Sequence, residues 1–309
     1  MGKKLILLYG ELTNIHNGKY QWMIDGTCTC GYRPYAQKYG YIVYLSPQKV
    51  KRDWEFSITN PGKLVHFIKK HPNAVVWAIK HAPGRDKQVL SKIKNRKLYY
   101  SCCASNMYNP HCNVSLVDTK QRLAKNAKIW FKGKDENFWR PTVDKANKEF
   151  DYLLIGKRAD KNEIMFIRKL TRSIKDKRRI LWIGGQKHQS KVDGLHTHHE
   201  VVYTPFSGTR FVRNNMSRAK VGILFTEHKR EGFPQSLLEM TMCGVPVVYN
   251  KNAPANKHYI HSGNVVLTDR EHLIGKSEAL LQSYDPEICR DIAINYYSLD
   301  RSAKYLLEL

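Results

Sequence analysis

Acidic residues are scarce in this chain of 309 residues: 27 Asp and Glu stand against 52 Lys and Arg, a formal net charge of +25. So unbalanced a surface attracts polyanions through phosphate contacts and counterion release, or an anionic membrane, with a basic surface that serves only solubility as the plainer alternative. Long apolar runs are also missing. No stretch approaches the roughly 20 residues a bilayer-spanning helix needs, so a transmembrane segment is excluded. The first apolar run, Leu5–Leu8 after Lys3 and Lys4, has no small-residue cleavage site and reads as a buried strand. Gly, Ser and Pro tracts are absent, which excludes a low-complexity linker or disordered tail. Paired CxxC motifs are absent too, and the seven cysteines (Cys28, Cys30, Cys102, Cys103, Cys112, Cys243, Cys289) are odd in number. That argues against a disulfide framework and for a reducing compartment, here the cytoplasm, or a host's cytoplasm for a viral chain. The CxC and CC spacings among the first five match structural-zinc spacings poorly, and no metal is expected.

What is present is enough apolar material, 42% hydrophobic and 11% aromatic, for two cores of ordinary size. Buried strands are expected at 3–9, 41–45, 74–79, 98–103 and 114–117, with an amphipathic helix at 64–68. The alternation restarts with strands at 152–155, 179–183, 201–203, 221–225 and 245–248, separated by helices near 161–175, 208–218 and from 234. Strands alternating with helices imply α/β lobes with parallel sheets covered on both faces. A polar, charged stretch, 133–150, reads as the linker. The expected lobes are 1–145 and 146–309, with a cleft between them and ligands beyond the C-terminal strand ends. Charge is unevenly shared: residues 1–150 hold 27 Lys and Arg against 10 Asp and Glu, whereas 151–309 hold 25 against 17.

One segment concentrates chemical signals: Glu231-Gly-Phe-Pro-Gln-Ser-Leu-Leu-Glu239-Met-Thr-Met-Cys-Gly244-Val-Pro-Val-Val248. Gly232 frees the backbone of a loop after a buried strand. Pro234 suits a helix start, and the helix N-terminus offers unpaired N–H groups to an anion. Glu231 and Glu239, about two turns apart, can both accept hydrogen bonds from hydroxyl groups of one ligand. This segment closely resembles the signature of the family four retaining nucleotide-sugar glycosyltransferases, which have the GT-B fold of two Rossmann-like lobes. The resemblance implies that Glu231 contacts the donor sugar, Glu239 the nucleotide ribose, and the backbone at Gly232 and Phe233 the sugar and phosphates. Upstream, Leu154-Ile-Gly156-Lys157-Arg158-Ala-Asp-Lys161 resembles the family's diphosphate-binding segment, with Arg158 and Lys161 as the cations that stabilise the leaving group. Gly184 and Val202–Pro205, including Thr204, sit where the family lines the nucleotide. Tyr296–Arg301 resembles the start of its last helix, which crosses back to the first lobe.

Over the first half the resemblance is looser. Asn17-Gly18-Lys19 is similar to the family's glycine loop, but Ser101-Cys-Cys-Ala-Ser-Asn106 stands where many relatives place a histidine. His81, after the preceding strand, is the substitute considered, with a local structural role equally open. The histidines of His196-Thr-His198-His199-Glu200 could suggest a metal, yet the resemblance implies that cations and helix dipoles serve instead, and no cofactor. The donor is expected to be a nucleotide sugar, UDP-linked. The resemblance assigns the acceptor to the first half, whose cations are interleaved with Tyr35, Tyr41, Tyr44, Trp54, Phe56, Trp77, Tyr99, Tyr100 and Tyr108. Cations for phosphates and rings for bases are the ingredients of nucleic-acid binding. That favours a nucleic-acid acceptor, for example a hydroxymethylated DNA base, as for DNA-modifying phage or virus members. Two alternatives stay open. One is a glycan, lipid or protein acceptor at an anionic membrane, with Lys63–Lys70 as a basic amphipathic helix giving peripheral contact. The other is a non-catalytic nucleic-acid-binding protein with the same fold.

Overall fold

A computed structural model of the chain describes residues 3–9, 15–16, 19–20, 33–47, 60–79, 88–100, 111–117, 126–130, 133–156, 161–184, 198–224, 234–252 and 263–309. These form two compact units. Unit 1 takes the described residues up to Asp135 and the terminal Tyr297–Leu309; unit 2 takes those from Glu136 to Tyr296.

Unit 1 is built on strands β1 (Lys3–Tyr9), β4 (Tyr41–Pro47), β5 (Val75–Ile79), β6 (Lys97–Tyr100), β7 (Val114–Val117) and β8 (Ala127–Ile129). They form one parallel sheet in the order β4-β1-β5-β6-β7-β8, and a two-residue hairpin, β2 (Ile15–His16) with β3 (Lys19–Tyr20), stands apart. Helices α1 (Arg33–Lys38) and α2 (Pro61–Lys69) precede β4 and β5. Both faces of a parallel sheet must be covered, and the period of two decides what goes where. Leu5, Trp77, Leu98 and Leu116 share one core with Trp130 and with Leu299, Ala303 and Leu306 of the last helix. Ile6, Val76 and Ala78, their immediate neighbours in sequence, pack on the opposite face with Leu64, Val65 and Ile68 of α2. Burying each such aliphatic side chain contributes roughly 1.5–3 kcal/mol.

Unit 2 contains strands β9 (Phe150–Gly156), β10 (Arg179–Gly184), β11 (Glu200–Pro205), β12 (Ala219–Leu224), β13 (Val247–Asn250) and β14 (Val265–Thr268). Its helices are α3 (Lys161–Ser173), α4 (Thr209–Ser217), α5 (Gln235–Met242), α6 (Leu273–Ser283) and α7 (Pro286–Tyr297); α8 (Leu299–Glu308) then belongs to unit 1. The strand order is β11-β10-β9-β12-β13-β14, all parallel. This is the order of a doubly wound dinucleotide-binding sheet. Ser298 separates α7 from α8: its extended backbone ends one helix, and its hydroxyl accepts a hydrogen bond from the Arg301 N–H at the start of the next.

The segment read as the linker, 133–150, is well packed. Lys134 is fully buried, and its backbone pairs with Tyr297 and Leu299. Trp139 is 1% exposed. Its carbonyl and that of Glu136 accept hydrogen bonds from the Arg290 guanidinium, and the Phe138 carbonyl accepts one from Arg213. Lys148 is buried with its ammonium donating to the carbonyls of Ser217 and Ala219. Polar composition misleads here because the charges satisfy backbone carbonyls rather than water.

Candidate functional site

In an open parallel sheet the ligand crevice lies beyond the C-terminal strand ends, where the strand order reverses. In unit 2 the chain runs outward from β9 through β10 to β11, then returns to β12 on the other side of β9. The register pairs Ile223 with Leu154 and Gly222 with Leu153, so β9 and β12 end side by side at Gly156 and Leu224. Two segments therefore start from adjacent points: one leads through Arg158 to Lys161, and the other through Glu231, Gly232 and Phe233 to α5. Arg158 and Glu231–Phe233 themselves lie outside the described residues, as do His81 and Gly18. Lys161 is the first residue of α3.

On the other side of β9, Gly156 and Gly184 are register partners, and Gly184 also pairs with Pro205 at the end of β11. A Cβ on Gly184 would come within 2.8 Å of the Tyr203 hydroxyl and 3.2 Å of the Gly156 carbonyl. Only glycine lets these strand ends close up. Thr204, half-buried on β11, pairs with Ile183 one step before that edge. The Phe206 N–H donates to the Gly184 carbonyl at 2.7 Å, which leaves an aromatic ring 41% exposed just past the strand end. The sequence reading did not single out Phe206; its signal was an aromatic residue directly after a strand-ending proline.

Helix α5 owes its position to two glycines. A Cβ on Gly222 of β12 would overlap the Met240 sulfur, so the bare glycine lets α5 lie close against the sheet. At the other end, Gly244 takes φ +67°, its N–H donates to the Thr241 carbonyl, and the Val245 N–H donates to that of Met240. These paired bonds form a Schellman stop, which only a left-handed residue completes without strain. The run Met-Cys-Gly-Val-Pro-Val-Val thus encodes a helix end followed by a buried strand. Arg290 adds a charged cap, donating to the Met242 carbonyl at 2.5 Å.

At its N-terminus α5 takes no side-chain cap from extended Pro234, which precedes its first turn. The first N–H groups of a helix are donors suited to an anion. Leu237, Leu238 and Met240 are buried, whereas Gln235, Ser236 and Glu239 remain partly exposed. Gln235 and Glu239, four apart, share a side of the helix. The Gln235 Oε1 is enclosed and has no hydrogen-bond partner among the described residues. Gln235 was missed in the sequence reading, although a polar residue at the first helical position after proline was the available signal.

The histidine pair of residues 198 and 199 has structural partners. A backbone N–H, that of Arg178, donates to Nδ1 of His199, so Nδ1 accepts and Nε2 carries the proton it donates to the Thr171 carbonyl at 2.7 Å. Burial holds the pKa of His199 below the ordinary histidine range, consistent with that neutral tautomer. His198 reaches the Lys175 carbonyl. Beneath the site, burial lowers the Lys148 pKa to about 8 and raises that of Cys243 to about 12. Cys112, Cys243 and Cys289 are buried.

Comparison with known proteins agrees with this geometry. Residues 149–283 match the family model described as Glycosyl transferases group 1. A glycosyltransferase from Rickettsia africae ESF-5 superimposes with a TM-score of 0.73 at 11% identity, covering 99% of this chain and 97% of that one. Anabaena Alr3699/HepE in complex with UDP-glucose gives 0.66 at 12% identity, covering 98% and 100%. An alpha-glucosyltransferase in complex with UDP-glucose and DNA containing an abasic site gives 0.61 at 12% identity, covering 99% and 98%. No curated protein matches the sequence significantly. The fold is GT-B, with two Rossmann-like units. The protein is a glycosyltransferase, with a group 1 glycosyltransferase domain over residues 149–283. Among the described residues no helix is long and apolar enough to cross a membrane.

Proposed function

We propose that the enzyme is a retaining transferase that takes a sugar from a UDP-sugar at the C-terminal strand ends of unit 2. Its acceptor is a hydroxyl of a nucleic acid, such as a hydroxymethylated DNA base. The observation that carries the donor reading is the adjacency of β9 and β12 at the reversal of strand order, with the N-terminus of α5 following the second of them. Arg158, Lys161 and the α5 N-terminus face the diphosphate in this reading. Gly156 and Gly184 let phosphates approach the backbone, and Thr204 borders the base. Glu239 accepts hydrogen bonds from the ribose hydroxyls, while Glu231 and the backbone of Gly232 and Phe233 hold the sugar. Gly18 and His81 are the contributions of the first half. UDP-glucose complexes of Alr3699/HepE and of the alpha-glucosyltransferase support the donor class, and the DNA in the latter complex supports the acceptor class.

In the reaction the bond between the sugar C1 and the diphosphate oxygen breaks, and the acceptor oxygen bonds to C1 from the same face. The acceptor proton passes to the departing phosphate oxygen. Charge grows on the leaving diphosphate, and fixed cations together with helix N–H groups stabilise it more in the transition state than in the ground state. A carboxylate pair of the glycosidase kind is not required. With cations in that role, transfer is expected to persist in EDTA.

The test is a thermal-shift screen of UDP-sugars, followed by mass spectrometry of hydroxymethylcytosine-containing duplex incubated with any stabilising donor. A hexose mass increment on the duplex is expected. Stabilisation by no nucleotide sugar overturns the donor reading, and modification of a glycan or lipid but never of the duplex overturns the acceptor reading.

A further inference from the structure

Part of the positive excess of residues 1–150 lies on one described edge of unit 1. Between residues 56 and 117 there are ten Lys and Arg and a single acid, Asp86. Two segments of that stretch are packed together: α2 through Leu64, Val65 and Ile68, and residues 89–93 through Val89, Leu90 and Ile93, all in one core. A buried asparagine fixes the junction. The Asn95 Nδ2 donates to the carbonyls of His71 (2.8 Å), Pro72 (3.1 Å) and Ala74 (3.0 Å), tying the strand-entry segment to the turn that follows α2. Lys94 and Arg96, which flank Asn95, are thereby set beside Lys69, Lys70 and His71. Lys63, Lys69, Lys70, Lys92, Lys94 and Arg96 are all exposed. Lys4 adds to the cluster, with its ammonium 3.0 Å from the His71 Nδ1. Partial burial, and then the charges of Lys4 and Lys70, push the His71 pKa down.

This edge is the N-terminal edge of the sheet: Lys4 lies at the start of β1, Arg96 just before β6, and the 71–74 turn just before β5. It stands at the end of the unit 1 sheet away from the C-terminal strand ends, about 20 Å distant for strands of five to seven residues. A ligand held here is therefore not held by the reacting group alone. Two kinds of polyanionic surface could meet such an edge, and the apolar residues discriminate between them. Interfacial membrane binding needs apolar side chains to insert. The apolar side of α2 is already used inside unit 1, and no exposed large hydrophobic lies on α2 or on residues 88–98. What remains is cations without wedges, the composition that tracks a phosphate backbone.

The geometry points to a nucleic-acid backbone site on the edge formed by Lys69, Lys70, Lys94 and Arg96, flanked by Lys63 and Lys92, which anchors duplex away from the catalytic end of the sheet. It deepens the acceptor reading above and rests on it only for its link to turnover, because binding is measurable without chemistry.

The experiment uses the full chain and fluorescence anisotropy of a labelled 20-base-pair duplex across a salt series, with phosphatidylserine vesicles as the second probe. The variant K69Q/K70Q/K94Q/R96Q is expected to bind duplex at least tenfold more weakly at 100 mM salt. Its plot of log affinity against log salt should be shallower by about three to four, near 0.9 per lost phosphate contact. A matched variant on unit 2, K169Q/K175Q/K177Q/K276Q, is expected to stay within about twofold of the parent. Circular dichroism melts verify folding, and the pair K63E/K92E gives a second route if the fourfold variant melts early. UDP-glucose stabilisation should be unchanged in every variant, so failure of the donor reading and failure of this one are distinguishable. Equal losses in both fourfold variants, no loss in either, or a loss confined to vesicle binding overturns the proposal.

Discussion

At the N-terminal edge of the unit 2 sheet, cations are met by acids: Arg178 with Glu278 at 2.5 Å, Arg179 with Glu200 at 2.9 Å, Arg218 with Glu149 and Lys220 with Asp151 at 2.8 Å. At the corresponding edge of the unit 1 sheet Lys38 pairs with Asp300 at 2.9 Å, whereas Lys4, Lys70, Lys94, Arg96 and Lys97 lie in described segments that hold no acid. The two sheets share a six-stranded parallel architecture, so the fold does not require either arrangement. Exposed pairs contribute only about 0–1 kcal/mol each. What pairing changes is the residual field: quenched under the group 1 domain, left standing in unit 1. The comparison teaches that one architecture tolerates both a paired and a predominantly basic strand-entry edge, and the proposed backbone site in unit 1 uses the second.

The largest expected effect lies in unit 2. Glu231→Ala should lower kcat/KM for sugar transfer by about 10²-fold or more, the scale of losing one charged contact to the reacting group, while leaving duplex affinity at the parent value. Steady-state kinetics and anisotropy on the same preparation check both halves, and a parallel fall in duplex affinity would break the division of tasks.

Next is Gly222→Ala, whose new Cβ has no room against Met240. A loss of about 1–3 kcal/mol is expected from overpacking, read by urea unfolding, together with weaker UDP-glucose stabilisation because α5 must move. An unchanged midpoint would mean that α5 does not rest on β12 as described.

Lys148 supplies a pH test. Its folded pKa, about 8, lies below the ordinary 10.5 because burial disfavours the ammonium. Between those values the unfolded chain binds the proton and the folded chain does not, so the cost of burying the charge fades as pH rises past 8. Cys243 and Cys289, whose pKa values burial raises, oppose this at higher pH, so the window to read is pH 8–9. Relative to Lys148→Met, the parent should gain stability across that window by at most about 1.4 kcal/mol per pH unit. Parallel melting curves for the two proteins would remove Lys148 as the cause.

The smallest effect is expected from Arg179→Ala. Loss of its exposed pair with Glu200 should barely move a thermal melt, and less still in high salt. A larger loss would show that the paired edge of unit 2 is structural rather than merely neutral.

Much of this was legible in the residues. The strand at 3–9 and those near 41, 75, 114, 152, 180, 202 and 221 stand where the apolar runs predict, because burial on both faces of a parallel sheet writes itself into a local run. Helix α5, its stop at Gly244 and the strand after it were readable as a unit, since capping needs particular residues at particular places. Less was legible where the decisive partner is remote. The run of polar residues from 133 to 149 hides a buried tryptophan and two buried lysines, whose partners lie 69 to 165 residues further on. The basic helix near 64–68 exists, but its apolar side is taken by β5, β1 and residues 89–93, which local periodicity cannot announce.

By itself the sequence determined the alternation of strands and helices, the excess of positive charge in the first half and the glutamate-bearing segment that ends in a helix stop. These are properties of neighbours along the chain, where steric preference and side-chain spacing act within a few residues. Only the tertiary structure decided that β12 returns beside β9 and that His199 serves the backbone. It also decided that Lys69, Lys70, Lys94 and Arg96 meet at one strand-entry edge of unit 1. Those outcomes depend on which distant surfaces exclude water together, and no local pattern carries that information.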